Sequence, residues 1–345
     1  MRGFRDRDYL ETVEGLYFTV LGNLHPPGRV VAYLKYAPSP RGRWGKPPRL
    51  FDRPIKAYTV RNVKVTLEFL RRRYPRYLYR IESFNVEFSA VPLARIKRHY
   101  RPEDKLLDLL ASKGRDELQE KAVRLAALLS KESGVDLKSF GVTGSILIGL
   151  HNLKFSDVDL VVYGGEEGLA VKEALRALLA KGDKVRRFPK GYVEGWHRSR
   201  KDLYPLTLKE TLRLFERVWN RGEFSGTAFS IHPVKAEEEK YGEEVYAPVG
   251  MVEAEGEVVD SKESIFMPAK YKVSFPPVEF RGEKYEVEEV VSYEGLYSGV
   301  VEPGERISVR GKLEEVKNVK GSKAYFRIVV GSPEAGGNDY VKPLG

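Results

Sequence analysis

Apolar residues recur along this chain with a helical period in several stretches. In residues 116–131 they fall at Leu118, Ala122, Leu125 and Leu129, which places them on one face of a helix. The same period predicts helices over residues 102–112, 166–181 and 207–222. The last of these opens with Thr207 and Glu210 at the spacing of a capping box.

Other stretches are rich in β-branched and aromatic residues and predict strands. Leu16–Leu21 and Val30–Tyr36 form a predicted hairpin, because the prolines and glycine of residues 23–28 separate them. Asn85–Val91 predicts a further strand. Residues 37–54 contain so much proline and glycine that we expect a loop there.

The last third of the sequence changes to short strands that turn residues separate. Five are predicted, over residues 252–259, 271–275, 285–292, 306–313 and 323–330. This spacing is typical of a small β-barrel, OB-like in type. We interpret the glutamate-rich residues 236–244 as a linker, and we expect the tail from residue 332 to be loose unless it docks.

These elements predict an α+β multidomain protein. An N-terminal α+β module occupies residues 1–100, a central mixed-sheet domain with helices occupies 101–240, and the small barrel occupies 241–345. A length of 345 residues is in keeping with two or three domains.

Composition narrows the choice of compartment and metal. No apolar run approaches the ~20 residues that span a bilayer, and the N-terminus lacks the apolar core of a signal peptide. We therefore expect a cytoplasmic protein without membrane contacts. The chain has no cysteine and five histidines, so a bound metal would be held by oxygen. Charged residues make up 31% of the chain, a usage typical of a thermophile.

Positive charge is concentrated in the first two thirds. Residues 1–240 hold 46 basic and 30 acidic side chains, whereas residues 241–345 hold 13 and 19. Between residues 41 and 80 the basic side chains are interleaved with aromatic ones, among them Trp44, Phe51, Tyr58, Tyr74, Tyr77 and Tyr79. Such a pattern suits RNA, since cations neutralise phosphates and rings stack on bases. A solvated basic surface with tyrosines in the core is the alternative. The acidic last third better suits a spacer or protein-contact domain.

Candidate chemistry lies between Gly141 and Gly164. Gly144 permits a tight turn and a close approach of the backbone to a phosphate, and Ser145 is suited to cap a short helix that follows. Further on, Asp157 and Asp159 are two residues apart at the start of an apolar strand, so both lie on one face. Two such carboxylates repel each other unless a cation lies between them, and oxygen ligands suit Mg²⁺ or Mn²⁺.

This stretch resembles the nucleotidyltransferase superfamily, the polymerase-beta-like fold shared by CCA-adding and minimal nucleotidyltransferases. The family signature is Gly-Ser followed by Asp-x-Asp, and here Asp157 follows one residue later than usual. Ile148 replaces the arginine of the Arg-Gly pair that many members have before Gly149. The resemblance covers residues 118–235. It implies that Gly144 and Ser145 hold phosphates of a nucleotide and that Asp157 and Asp159 bind Mg²⁺.

Members of the superfamily usually carry a third carboxylate on a later strand. In this chain the matching segment is residues 228–235, where Ser230 occupies the carboxylate's position and His232 follows on the same strand face. Three alternatives stay open. The first is that another acid fills the role, with Glu194, Asp202 and Glu237 as the candidates. The second is that His232 acts as the base. The third is that the domain binds nucleotide without turnover.

We therefore expect a metal-dependent nucleotidyltransferase that moves a nucleoside monophosphate from an NTP to an acceptor hydroxyl, with RNA favoured as the acceptor. A polar segment, residues 186–202, is the expected source of phosphate contacts through Arg198, Arg200 and Lys201. The alternative reading of that segment is a plain solvent-exposed loop. The alternative function is a catalytically impaired protein of the same fold that binds nucleotide or nucleic acid. A small-molecule acceptor is a third possibility.

Overall fold

The computed structural model describes residues 2–54, 60–82, 86–237, 240–319, 321 and 324–344. Within these ranges the chain has a mixed α+β fold with seven α-helices and several sheets, which confirms the predicted class. The predictions for Tyr58, Asn85, Lys323 and the middle of the glutamate-rich segment lie outside the described residues. Among the described residues, no helix combines the length and the apolar character that crossing a bilayer requires.

The N-terminal third is built around an eight-stranded sheet. Its strands are β1 (Tyr9–Thr12), β2 (Tyr17–Val20), β3 (Arg29–Pro38), β4 (Trp44–Lys46), β5 (Arg49–Asp52), β6 (Leu78–Ile81), β7 (Val86–Pro92) and β8 (Ile96–Tyr100), with helix α1 (Val60–Arg73) between β5 and β6. The order is β4-β5-β3-β2-β1-β8, and β7 pairs with both β3 and β6. The predicted hairpin is present as β2 and β3. The loop predicted for residues 37–54 is wrong, because β4 and β5 pair there as a second hairpin.

The central third forms a five-stranded sheet between helices. Its elements are α2 (Pro102–Ala111), α3 (Glu117–Ser133), β9 (Phe140–Val142), α4 (Gly144–Leu147), β10 (Val158–Tyr163), α5 (Gly165–Lys181), β11 (Val185–Arg186), α6 (Lys190–Arg200), α7 (Leu208–Arg217), β12 (Arg221–Phe224) and β13 (Thr227–Val234). The strand order is β11-β12-β13-β10-β9. Strands β10 and β13 run parallel, which brings the start of β10 beside the middle of β13.

Two expectations for this third needed correction. Residues 190–200 form helix α6 where a plain solvent-exposed loop was the alternative reading of the polar segment. The capping box of Thr207 and Glu210 is present, but α7 ends at Arg217 and does not reach residue 222. Both helices pack their apolar sides, including Val193 and Phe215, on the C-terminal sheet.

The C-terminal third is almost entirely strand. Its elements are β14 (Glu244–Asp260), β15 (Ala269–Ser274), β16 (Val278–Phe280), β17 (Glu283–Tyr285), β18 (Val287–Ser292), β19 (Arg306–Asn318), β20 (Ala324–Val330) and β21 (Tyr340–Leu344). Six of them form a sheet in the order β14-β15-β18-β20-β19-β21, and β14 also pairs with β19. The tail docks: β21 pairs with β19 along residues 340–344, because Tyr340 and Val341 bury apolar surface there.

The N-terminal sheet covers one end of the central sheet. Thr143 Oγ1, just after β9, donates a hydrogen bond to the carbonyl oxygen of Arg7 (2.8 Å). In the β4–β5 hairpin, the amide of Gly45 donates to the carbonyl oxygen of Leu150 (3.1 Å). Tyr36 and Phe51 from the N-terminal sheet share a core with Leu147 and Ile148. Side chains of strand β3 therefore meet the segment that holds the two aspartates.

Candidate functional site

The two aspartates lie where β10 begins. Asp157 immediately precedes the strand, and Asp159 is its second residue. In the parallel pairing, Ser230 of β13 lies opposite Asp159, and His232 lies opposite Val161. All four side chains therefore belong to one end of the central sheet, as the sequence predicted for the pair and for the candidate third-strand position.

Gly144 meets Asp159 directly. Its φ angle is +68°, and a Cβ at this position would lie too close to Asp159 Oδ2 for any real side chain. The carboxylate therefore rests on the glycine turn, and only glycine allows this approach. The close approach places the predicted phosphate-binding turn and the predicted metal ligands in one site.

The predicted role of Ser145 as helix cap is wrong. Thr143 occupies the N-cap position, and Ser145 is the second residue of α4. Ser145 is nevertheless 2% exposed, and its Oγ forms no hydrogen bond to any described residue. A buried hydroxyl of this kind is available to a ligand.

The pKa values of the two carboxylates are shifted in opposite directions. The negative charge of Asp159, together with burial, raises the pKa of Asp157 to about 6. Burial acts to raise the pKa of Asp159 as well, but His232 and Ser230 outweigh it, and that pKa lies well below its ordinary value. Asp159 is thus ionised at neutral pH, while Asp157 carries an unfavourable second charge. A cation bound between the two carboxylates would relieve that repulsion.

A hydrogen-bond relay holds Asp159 in its ionised form. Ser230 Oγ donates its single hydrogen to Asp159 Oδ1, and His232 Nε2 lies 2.8 Å from the same Oγ. The imidazole must therefore donate to Ser230, which assigns the proton to Nε2. Burial and the nearby charge of Arg7 lower the pKa of His232 to about 4, so the ring is neutral at neutral pH.

Basic side chains from the N-terminal sheet surround the pair. Burial and the charge of Arg53 lower the pKa of Lys35 to about 7, although Asp159 opposes the shift. Arg53 donates from Nη2 to the hydroxyl of Tyr36 (2.7 Å) and is among the charges that act on Asp157. Arg7 forms an ion pair with Asp6 (3.2 Å between Nε and Oδ2) and also interacts with Asp159.

Arg221 of β12 lies one strand beyond Ser230, with which it is paired across the strands, and its Nη2 donates to the carbonyl oxygen of Gly295 (3.0 Å). Burial lowers its pKa, as do the charges of Arg7 and Arg200. The cations that act on the two aspartates themselves come from the N-terminal third. The sequence signal for Lys35 is visible afterwards, because it interrupts the apolar residues 30–38 of β3, and lysine is seldom buried without a partner.

Among the described residues, no third carboxylate joins Asp157 and Asp159, since no group of three acidic, histidine or cysteine side chains there is arranged to hold a metal ion. The candidates do not supply one: Glu194 lies on α6 within 3.9 Å of Lys190, and Asp202 and Glu237 join no such group. Two carboxylates still fit Mg²⁺, because this ion is commonly bound by one or two carboxylates together with substrate phosphates.

The predicted phosphate contacts on α6 are only partly near the site. Arg200 is half-buried and lies close enough to Arg221 to influence its pKa. Arg198 and Lys201 are exposed, and none of their described contacts joins them to the aspartates. Tertiary packing decided this outcome, since Lys35 and Arg53 of the N-terminal third act on the aspartates instead.

The aromatic residues that the sequence analysis named in the basic segment divide between core and surface. Phe51 and Tyr77 are buried, which favours the structural alternative for both of them. Trp44, Tyr74 and Tyr79 remain partly exposed, and Arg29 lies over the Tyr79 ring at 5.0 Å. Tyr58 is outside the described residues. The RNA interpretation therefore depends on the exposed rings alone.

Comparison with known proteins gives a family. No protein-family model matches this chain, and no solved structure does. It is 33% identical over 352 residues to uncharacterized protein MJ1086 of Methanocaldococcus jannaschii, and the alignment covers 98% of each chain. This chain belongs to that protein's family. The alignment spans all three parts of this chain.

Proposed function

We propose that this protein is a nucleotidyltransferase of the polymerase-beta-like type, which binds an NTP with a divalent cation at Asp157 and Asp159. The observation that carries the proposal is the ionised Asp159 resting on Gly144 beside a second carboxylate whose pKa is raised to about 6. Such a pair is costly in the protein alone and becomes favourable when a cation binds.

Asp157 and Asp159 would hold Mg²⁺ or Mn²⁺, and the nucleotide's own phosphates would complete its ligands. When bound, the ion would neutralise phosphate charge and polarise the phosphoryl oxygens. The excess of cations over the two aspartates supports a polyanionic ligand. Lys35, Arg7 and Arg53 are the residues of this chain that would contact the phosphates, with the buried hydroxyl of Ser145 as a further donor.

A second candidate function is favoured because no third carboxylate joins the pair among the described residues. Ser230 donates to Asp159 and His232 Nε2 donates to Ser230, so neither of these atoms is poised to accept a proton from an attacking hydroxyl, and a pKa of about 4 makes the His232 ring a weak base. General base catalysis typically contributes two to four orders of magnitude in rate. A protein that binds the nucleotide or nucleic acid with little or no turnover is therefore the alternative. RNA remains our proposed acceptor or partner because of the basic N-terminal two thirds, with a small-molecule acceptor as a further possibility.

We also propose that the C-terminal third is a small OB-like barrel that packs and positions the other two parts. The pairing of β14 with both β15 and β19 supports a barrel-like arrangement. Its acidic composition argues against a general phosphate-binding surface. Lys172 and Arg176 of α5 both form ion pairs with Glu302 of this part (2.8 Å each), in keeping with a packing role.

Calorimetry tests the binding step. Each NTP is titrated, with and without Mg²⁺, into the wild type, an Asp157→Ala, Asp159→Ala double variant and an Asp183→Asn control at an exposed acid. Mg²⁺-dependent binding that only the double variant loses would support the site. A wild type that binds no NTP under these conditions would overturn the proposal.

Incubation with α-labelled NTPs, Mg²⁺ or Mn²⁺ and mixed RNA then separates transfer from binding, because only a transferase moves label into RNA.

A further inference from the structure

Five side chains form a continuous series of rings and cations beside the two aspartates. This ring–cation ladder consists of Tyr36, Arg53, Trp44, Arg43 and Phe155. The Arg53 guanidinium lies 5.0 Å from the Tyr36 ring centroid and 4.5 Å from that of Trp44. The Arg43 guanidinium lies 5.9 Å from the Trp44 centroid and 4.9 Å from that of Phe155.

The ladder leads from the protein interior to solvent. Tyr36 is fully buried at its inner end, where Arg53 interacts with Asp157. Trp44 is half-buried, Arg43 is exposed, and Phe155 is 41% exposed at the outer end. Arg43 and Phe155 are therefore exposed at the outer end of the ladder, where a ligand can contact both of them.

The two segments that carry the ladder are fixed to each other. The Trp44 and Phe155 centroids are 5.5 Å apart at an interplanar angle of 82°. Gly45 donates to Leu150 across the gap between the segments, and residues 152–156 form a turn in which Phe155 N donates to Asn152 O (3.2 Å). The rings are thus held in place before a ligand arrives, which reduces the entropy lost on binding.

The surroundings of the ladder select a polyanion that also has flat rings. Residues 41–54 contain five basic side chains and one acidic one. Bases stack on aromatic rings and on guanidinium planes, while the basic side chains neutralise phosphates. A double-stranded nucleic acid would hide its bases from such rings, so a single strand fits better.

We propose that the ring–cation ladder is a binding track for single-stranded RNA, whose bases stack on Phe155 and Trp44 so that the end of the strand reaches Asp157 and Asp159. This inference rests on the proposed function, because it identifies the acceptor of the same site. Phe155 and Trp44 position the strand and are not catalytic. The basic helix face of α1 is a weaker candidate for this role, since Arg71 already pairs with Glu68 and Glu87.

Fluorescence anisotropy with a 5′-labelled single-stranded RNA of about 12 nucleotides tests the track. Phe155→Ala should weaken binding about 5- to 100-fold, which is the usual effect of removing one stacking ring. Trp44→Phe should keep most of the affinity and Arg43→Gln should lose part of it. Leu153→Ala is the matched control, because Leu153 is exposed in the same segment as Phe155 and contributes no ring or cation to the ladder. This control should bind like the wild type.

Three outcomes would overturn the track: Phe155→Ala binds the single strand as the wild type does; Leu153→Ala loses as much affinity as Phe155→Ala; or an RNA duplex binds equally well and with the same dependence on Phe155.

Calorimetry with Mg²⁺ and NTP keeps the two proposals distinguishable. Phe155→Ala should leave NTP affinity unchanged, and an equal loss of NTP affinity would assign the ladder to the nucleotide's base instead. RNA binding that depends on Phe155 in a protein that binds no NTP would leave the track standing and reject the nucleotide site.

Discussion

Replacing Asp157 with asparagine should make the ligand-free protein more stable. In the folded chain, the charge of Asp159 and burial raise the pKa of Asp157 from 3.8 to about 6. The folded state therefore binds a proton more tightly than the unfolded state does, and stability falls as pH rises through that window. At about pH 8 Asp157 is ionised in both states, and the free energy of unfolding is then lower by roughly 3 kcal/mol for a shift of about two pKa units.

Asp157→Asn removes this cost, so its gain over the wild type depends on pH in a defined way. The gain should be about 3 kcal/mol near pH 8 and should shrink to about 1 kcal/mol near pH 4.5, where Asp157 is mostly protonated in the folded wild type. Urea unfolding followed by circular dichroism at both pH values measures the difference. The physical reason is that the amide has nearly the shape of the carboxyl group and carries no charge.

Two controls separate this explanation from a general effect of mutation. Asp159→Asn should show no such gain, because Asp159 is favoured in its ionised form and accepts the Ser230 hydrogen bond. Asp183→Asn, at an exposed position, should change stability by less than about 0.5 kcal/mol. Millimolar Mg²⁺ should stabilise the wild type by mass action and leave Asp157→Asn unchanged. The reasoning is refuted if Asp157→Asn is no more stable than the wild type at pH 8, or if its gain in stability over the wild type is the same at both pH values.

Three further predictions concern the glycine turn, the third-strand position and the domain contact. Gly144→Ala should abolish Mg²⁺-dependent NTP binding in calorimetry, because the added Cβ would meet Asp159. The control Gly149→Ala has the same φ of +68° and open space at its Cβ, so it should keep NTP binding and lose only about 1–2 kcal/mol of stability. Equal losses of NTP binding in the two variants would contradict the contact with Asp159. Ser230→Asp places a carboxylate opposite Asp159 and should raise label transfer at least tenfold with Mg²⁺ present; an unchanged or lower rate would show that Ser230 is not at the third-carboxylate position. Glu302→Gln should destabilise the protein by about 3 kcal/mol in urea unfolding, since it leaves the buried ammonium of Lys172 without its charged partner; a loss below about 1 kcal/mol would mean that water replaces that partner.

The periodic parts of the fold could be predicted from the sequence. The helix over residues 117–133 and the hairpin of β2 and β3 appear where apolar spacing placed them. Helix α6 did not appear as a helix in the sequence, because Gly191 and Gly195 lower its propensity and it has few apolar residues. Its stability comes from packing on the C-terminal sheet, which no local pattern shows.

The candidate site was predictable only where its residues are neighbours in the chain. Gly144, Asp157 and Asp159 lie within one stretch and could be found by spacing. Lys35 and Arg53 are more than a hundred residues away from Asp159 in the sequence, and only the packing of β3 against the central sheet brings them near. A lysine inside an apolar strand was the one local sign of this arrangement.

The N-terminal residues have a consequence for how the chain is made. Arg5 Nη2 donates to the carbonyl oxygen of Ala236, which lies 231 positions later, and Asn23 Nδ2 donates to that of Lys235 (3.0 Å). During synthesis on the ribosome, the first strands must therefore wait until about two thirds of the chain has emerged before these contacts can form. A partly made chain already contains Thr143 and Leu150, which hold the N-terminal sheet beside the aspartates, whereas the contacts of Arg5 and Asn23 form only after β13 has emerged.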